Sequence, residues 1–119
     1  MPDGLRKGFQ KFASKHNFSS GIIDRLDRHT ILEGDAFLVF TDEDLVDLLK
    51  ISNSLRLKIG QNIGIISYDD TPLKEVMAGG ITVISTDFKK MGETTAHLIT
   101  NRLKKKIANP CKLIRRNSL

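Results

Sequence analysis

Three short clusters carry most of the chemistry this sequence could perform: Phe40-Thr41-Asp42-Glu43-Asp44, Tyr68-Asp69-Asp70-Thr71 and Ser85-Thr86-Asp87. Each follows a run of apolar residues. Together they offer carboxylates, hydroxyls and one phenol. That set suits a polyhydroxylated ligand, because a carboxylate accepts hydrogen bonds from adjacent hydroxyls and Tyr68 adds a flat face with a polar tip. The candidate ligand-binding residues are Asp69, Thr41, Thr86 and Tyr68, with Asp69 the first of them.

Several of the acids have plainer readings. Asp42 and Asp87 stand where helix N-caps are expected, Asp44 and Asp47 fit a solvated helix face, and Asp70 fits the turn before Pro72. His16, His29 and His97 are far apart and none lies at metal-ligand spacing, so no bound metal is expected. The paired glycines Gly79-Gly80 precede a strand pattern and not a helix, so they make no phosphate loop. Nor is there a nucleophile elbow. Acidic strand ends also fit a receiver-like phosphoacceptor domain with Mg²⁺. That fold wants its acidic pair after the first strand, whereas here the pair follows a late one and the downstream Lys is missing from its strand end. No catalytic residues and no cofactor are expected, and the chain reads as a non-enzyme.

These clusters need elements to hold them. Leu5, Phe9, Phe12, Ala13 and His16 share one face at helical spacing, which predicts a helix from Asp3 to Lys15. Phe18 to Asp24 reads as a short strand, and Arg25 to Glu33 as one or two helical turns. Ala36 to Phe40 is a short apolar run that predicts a strand buried on both faces. Thr41 or Asp42 caps the helix after it, whose apolar face is Leu45, Val46, Leu48 and Leu49. Ile63 to Ser67 and Ile81 to Ser85 are two more buried strands, with a short helical stretch from Leu73 to Ala78 between them. Thr86 or Asp87 caps the longest helix, predicted to reach Lys106 with Phe88, Met91, Thr95, Leu98, Ile99 and Leu103 as its stripe. Pro110 breaks the chain and Cys111 to Arg115 forms a last strand. Strands alternating with helices imply an α/β fold with a mostly parallel sheet flanked by helices on both faces. In such sheets ligands bind beyond the carboxyl ends of the strands, which is where the three clusters fall.

Bulk composition narrows the class. The 119 residues allow one ordinary domain, and 39% apolar with 28% charged residues is a globular balance and not a disordered one. The opening Met-Pro-Asp-Gly-Leu-Arg-Lys has no apolar core, no run approaches a membrane span, and the single Cys111 excludes an internal disulfide. A cytoplasmic protein with no membrane contact is the expectation. The net charge of +5 is unevenly spread: seven of the 19 basic residues lie between Arg102 and Arg116, a stretch without acids, which leaves twelve against 14 acids in the body. A nucleic-acid reading rests on that tail alone, and Lys and Arg after a helix also suit the helix dipole.

The segment from Asp35 to Leu119 resembles the end of the effector-binding domain of LacI/GalR-type bacterial transcription regulators. The resemblance is carried by Asp35-Ala36-Phe37-Leu38-Val39-Phe40-Thr41-Asp42, by Asn62-Ile63-Gly64-Ile65-Ile66-Ser67-Tyr68-Asp69-Asp70-Thr71-Pro72-Leu73, and by Ile81-Thr82-Val83-Ile84-Ser85-Thr86-Asp87-Phe88-Lys89-Lys90-Met91-Gly92. Leu5-Arg6-Lys7-Gly8-Phe9 also looks like the family's helix with a Gly-Phe pair, so nearly the whole chain is covered. The resemblance implies one lobe of a type I periplasmic-binding-protein fold, with residues 1–119 as the C-terminal portion of the sensor and with the DNA-binding domain and first lobe absent from this chain. In the family that DNA-binding domain is a helix-turn-helix, or a GntR-type winged helix in some regulators with the same sensor.

By the resemblance, Asp69 matches an effector-contacting Asp, Thr41 a position usually Asn or Asp, and Thr86 a position often Gln. Leu5 stands where the family often has an effector-binding Arg. The implied effector is a sugar, a sugar phosphate or a purine. The long helix docks on the first lobe in the family. Without that cover, Phe88, Met91, Leu98 and Leu103 invite self-association into a homodimer or larger. The leading expectation is thus a ligand-sensing and dimerisation part of a transcription regulator, probing DNA only through a domain outside this chain. A dimerisation module without its own ligand, and a receiver-like phosphoacceptor domain, are the alternatives.

Overall fold

In the computed structural model, which describes residues 3–119, the chain forms four helices and one four-stranded sheet. In chain order these are α1 (Asp3–His16), β1 (Ala36–Val39), α2 (Asp42–Ser54), β2 (Gly64–Tyr68), α3 (Pro72–Val76) with a 3₁₀ turn over Met77–Gly79, β3 (Thr82–Thr86), α4 (Phe88–Thr100) and β4 (Cys111–Ile114). The strands lie side by side in the order β1-β2-β3-β4. The first three are parallel, with Val39 opposite Ser67 and Tyr68 opposite Ile84. The fourth runs antiparallel to β3, with Cys111 opposite Thr86. This is the mostly parallel α/β sheet expected.

The core is Ile31, Val39, Leu45, Leu48, Ile63, Ile65, Ile81 and Val83. Its logic is local. In β2 the buried side chains alternate at Ile65 and Ser67, so one pleat face turns inward. Helix α2 lays Leu45 and Leu48 onto that face, and both are essentially inaccessible to solvent. Strand β1 is the sheet edge, and Ala36 is exposed, so it is not buried on both faces as expected.

Two expected elements before β1 do not form. Asn17 takes a left-handed φ of 53° and turns the chain back. The Phe18 amide then donates to the Ala13 carbonyl, and the Phe18 ring lies 5.8 Å from Phe12. Phe18 therefore closes on its own helix, Ile22 and Ile23 stay exposed, and Phe18 to Asp24 pairs with no strand. From Arg25 to Glu33 there is no helix. The Asp27 carboxylate accepts from the amides of His29 and Thr30, a side-chain-closed turn that competes with helix formation.

Helix α4 ends at Thr100, short of the expected Lys106. The Leu103 amide donates to the Leu98 carbonyl and the Arg102 amide to the Ile99 carbonyl, with Arg102 at φ 51°. That paired 6→1 and 5→2 closure is a Schellman stop, here with Arg in the place glycine usually takes. The Asn101 side chain adds a bond to the His97 carbonyl.

The last residues fold across the amino ends of β2 and β3. Ser118 is fully buried; its hydroxyl donates to the Ile65 carbonyl and accepts from the Thr82 amide, while its own carbonyl accepts from the Ile65 amide. Gly60, at φ 79°, packs so closely on the Asn117 carbonyl that no Cβ fits there.

Candidate functional site

Because β1, β2 and β3 are parallel, their carboxyl ends emerge on one edge of the sheet, and the three polar clusters follow them. The edge is built around Asp69. Its amide donates to the Ile84 carbonyl at 2.8 Å, continuing the β2–β3 ladder by one residue. Its φ is 55°, a left-handed conformation that a non-glycine residue adopts at a cost of about 1–2 kcal/mol. From this pose Oδ1 accepts the Thr86 amide at 3.1 Å. Among the described residues Oδ2 receives no hydrogen bond. Asp69 and Thr86 are half-buried, at adjacent strand ends.

Tyr68, the last residue of β2, sits one position back. Its ring centroid is 6.2 Å from that of Phe40, which follows β1, so two aromatic rings lie side by side on the rim. Thr41 comes next, and its hydroxyl is committed: it accepts the Asp44 amide at 3.1 Å and donates to the Asp44 carboxylate at 2.7 Å. Thr41, not Asp42, is therefore the N-cap of α2. Asp87 caps α4, as expected, by accepting the Lys90 amide at 2.9 Å.

Asp42, released from capping, binds an unforeseen partner. The Lys74 ammonium lies 2.9 Å from its carboxylate and also donates to the carbonyls of Tyr68 and Asp69, each at 2.9 Å. Asp70, expected to shape the turn, does more. Both its oxygens accept from the Arg116 guanidinium at 2.8 Å, and its amide donates to the Ser85 hydroxyl. The Arg116 hydrogen bonds hold the Asp70 carboxyl below its ordinary pKa, and Asp70 in turn raises that of Arg116.

The four expected site residues thus occupy one edge, linked by Lys74 through Asp42 to the Thr41 turn and by Asp69 to Thr86. Lys74 and Arg116 were missed. Lys74 sits in a short helix where a charged residue reads as solvated, and Arg116 belongs to a basic run that reads as a block. The one available signal was the surplus of acids at the edge, since three clusters of carboxylates call for compensating cations. Chemically, the edge presents the unbonded Oδ2 of Asp69, the residue that follows Tyr68 and whose Oδ1 is fixed on the Thr86 amide. Among the described residues no group of three or more His, Cys, Asp or Glu could hold a metal ion. No helix there is long and apolar enough to cross a membrane.

A separate open cleft of about 330 Å³ lies between α4 and residues 105–109, lined by Met91, Thr95, Leu98, Lys105 and Ile107 among others. No residue of the Asp69 edge contributes to it.

No curated protein matches the chain. Among solved structures it is similar to a candidate transcription regulator from Staphylococcus saprophyticus subsp. saprophyticus, at 26% identity and a TM-score of 0.55, covering 71% of this chain and 32% of that one. It is also similar to the Lac repressor bound to ONPG in the repressed state, at 21% identity and a TM-score of 0.61 over 94% of this chain and 32% of that one. The Lac repressor dimer bound to operator and the anti-inducer ONPF gives 22% identity and a TM-score of 0.62 over 93% and 32%. The chain therefore spans about a third of the length of these structures. The profile of periplasmic binding protein-like domains matches residues 2–119, essentially the whole sequence, and the chain belongs to that family.

Proposed function

We propose that this chain is the C-terminal portion of the effector-sensing domain of a bacterial transcription regulator, and that it takes a small polyhydroxylated ligand, sugar-like in chemistry, at the Asp69 edge. One observation carries the reading: Asp69 is held in a left-handed pose with one carboxylate oxygen fixed on the Thr86 amide and the other without a hydrogen bond among the described residues, at the strand end that also carries Tyr68, paired with Phe40. A carboxylate oriented in this way accepts hydroxyl donors, and an aromatic ring covers the apolar face of a pyranose. Thr86 and Tyr68 complete the set. Thr41 contributes mainly by fixing the turn after β1, since its hydroxyl already serves Asp44. The first lobe and the DNA-binding domain, of helix-turn-helix or winged-helix kind, belong to the parent protein, which acts in the cytoplasm. Ligand binding shifts the pose of lobes or subunits and so changes operator affinity. The solved Lac repressor structures, with ONPG, with ONPF and with operator, are consistent with this assignment.

The direct test is a thermal-shift screen against monosaccharides, their phosphates and purines, followed by calorimetry on the best hit. Asp69→Ala should weaken that hit at least about tenfold. Equal binding by Asp69→Ala removes the site.

A second role in self-association is favoured by α4, which buries none of its residues and leaves Phe88 55% and Ile99 72% exposed. An apolar stripe of this kind on a small domain is a surface for a second copy.

A further inference from the structure

Lys74 is an anomaly among the charged residues of this chain. It sits in a five-residue helix, yet only 2% of it is accessible, and Asp42, the acid it meets, has a side chain that is 68% exposed. Burying a lysine costs several kcal/mol unless its ammonium is fully paired. Here all three N–H donors are spent: on the Tyr68 carbonyl, on the Asp69 carbonyl and on the Asp42 carboxylate, each at 2.9 Å. The backbone of Lys74 is anchored as well, its amide on the Thr71 carbonyl and its own carbonyl on the Ile81 amide. The side chain thus joins the turn after β1 to the turn after β2, and the backbone adds the entry to β3.

Two of those three acceptors flank the bond that sets the pose of Asp69. The peptide carbonyls of Tyr68 and Asp69 lie on either side of the left-handed Cα, and fixing both removes the freedom by which the residue would relax. Resting on the reading of Asp69 as the ligand-contacting group, we infer that Lys74 is a positioning residue: it holds the Asp69 carboxylate against the Thr86 amide and so presets the edge for its ligand. Its charge is consumed internally. It offers no free donor to an effector, and it acts on affinity through Asp69 alone. The contact with Asp42 also ties the Thr41 turn to the same point, so the three strand ends form one unit.

The test needs no ligand. Backbone amide hydrogen exchange on the full chain reads the Asp69–Thr86 bond directly, because the Thr86 amide donates to Asp69. In Lys74→Met the Thr86 amide should exchange about tenfold faster or more, while the core amides of Leu48 and Ile65 keep their wild-type rates. Lys74→Arg, which restores donors at the same place, should recover part of the protection. Unchanged Thr86 exchange in Lys74→Met overturns the inference. So does an acceleration shared equally by Leu48 and Ile65, which is global destabilisation and not positioning. Should the methionine variant fail to fold, Lys74→Gln keeps a donor in the site and is judged by the same two criteria. Failure of the effector reading is seen elsewhere, in a sugar, sugar phosphate or purine that binds Asp69→Ala as well as wild type, and it leaves the exchange result standing.

Discussion

The Arg116 guanidinium grips both carboxylate oxygens of Asp70 at 2.8 Å, joining residues 46 positions apart. The contact pins the segment after β4 to the turn after β2, next to the proposed binding edge. A further Arg116 bond, to the Ile81 carbonyl at 3.0 Å, extends it to the entry of β3. Both partners are mostly buried, so the pair is shielded from the screening that makes surface ion pairs nearly neutral.

Arg116→Ala should therefore lower unfolding stability by about 2 kcal/mol, the usual scale for losing hydrogen bonds to a charged group. Urea melts give the number directly. Arg116→Lys should recover less than half, because an ammonium cannot span both oxygens.

The same pair sets a pH dependence. The folded-state pKa of Asp70 lies below its ordinary value of 3.8, chiefly through the Arg116 hydrogen bonds. Its contribution is complete above the unfolded value and is lost as pH falls through the folded one. The stability gap between wild type and Asp70→Asn should be constant above about pH 5 and shrink below pH 4. A gap that persists unchanged to pH 2 would contradict the assignment.

Gly60→Ala should be among the most damaging small substitutions. A Cβ at φ 79° is strained, and it would collide with the Asn117 carbonyl, a backbone atom held in place by the tail. A loss of about 3 kcal/mol combines the conformational and overpacking costs. Chemical denaturation checks it, and Gly21→Ala, where nothing crowds the added carbon, is the control.

Ser67→Ala should leave stability unchanged or raise it by up to about 1 kcal/mol. The Ser67 hydroxyl is fully buried in β2 and has no hydrogen-bond partner among the described residues, so it bears a desolvation penalty without return. A clear fall in melting temperature would mean that the hydroxyl is satisfied in solution.

Phe88→Glu combined with Ile99→Glu should abolish self-association, with little effect on folding, because both side chains are exposed. Sedimentation at micromolar concentration distinguishes the outcomes. A wild-type chain that is already a clean monomer would refute the dimer reading.

The sequence made the strands and their order legible where apolar runs end in turn residues. Ile63 to Ser67 and Ile81 to Ser85 each fall within one residue of the strands formed, and so do the polar clusters they deliver. It failed where a single side chain redirected the backbone. Asn17 sends Phe18 back onto α1, and nothing in the Phe18 to Asp24 pattern, taken alone, distinguishes that closure from a strand. Arg102 adopting a left-handed φ stopped α4, although a periodic stripe continues past it to Leu103. The pairings of Lys74 with Asp42 and of Arg116 with Asp70 span 32 and 46 positions, so only three-dimensional proximity reveals them. Thr41 was legible as either cap or ligand group; the α2 N-terminus claimed it.

The buried Ser118 has a bearing on how the domain comes into being. Its hydroxyl and backbone complete Ile65 and Thr82, residues made 53 and 36 positions earlier. As the chain is made, the amino ends of β2 and β3 must wait, with open backbone groups, until Ser118 reaches them. A chain interrupted between β3 and Ser118 would therefore hold an unfinished, association-prone seam.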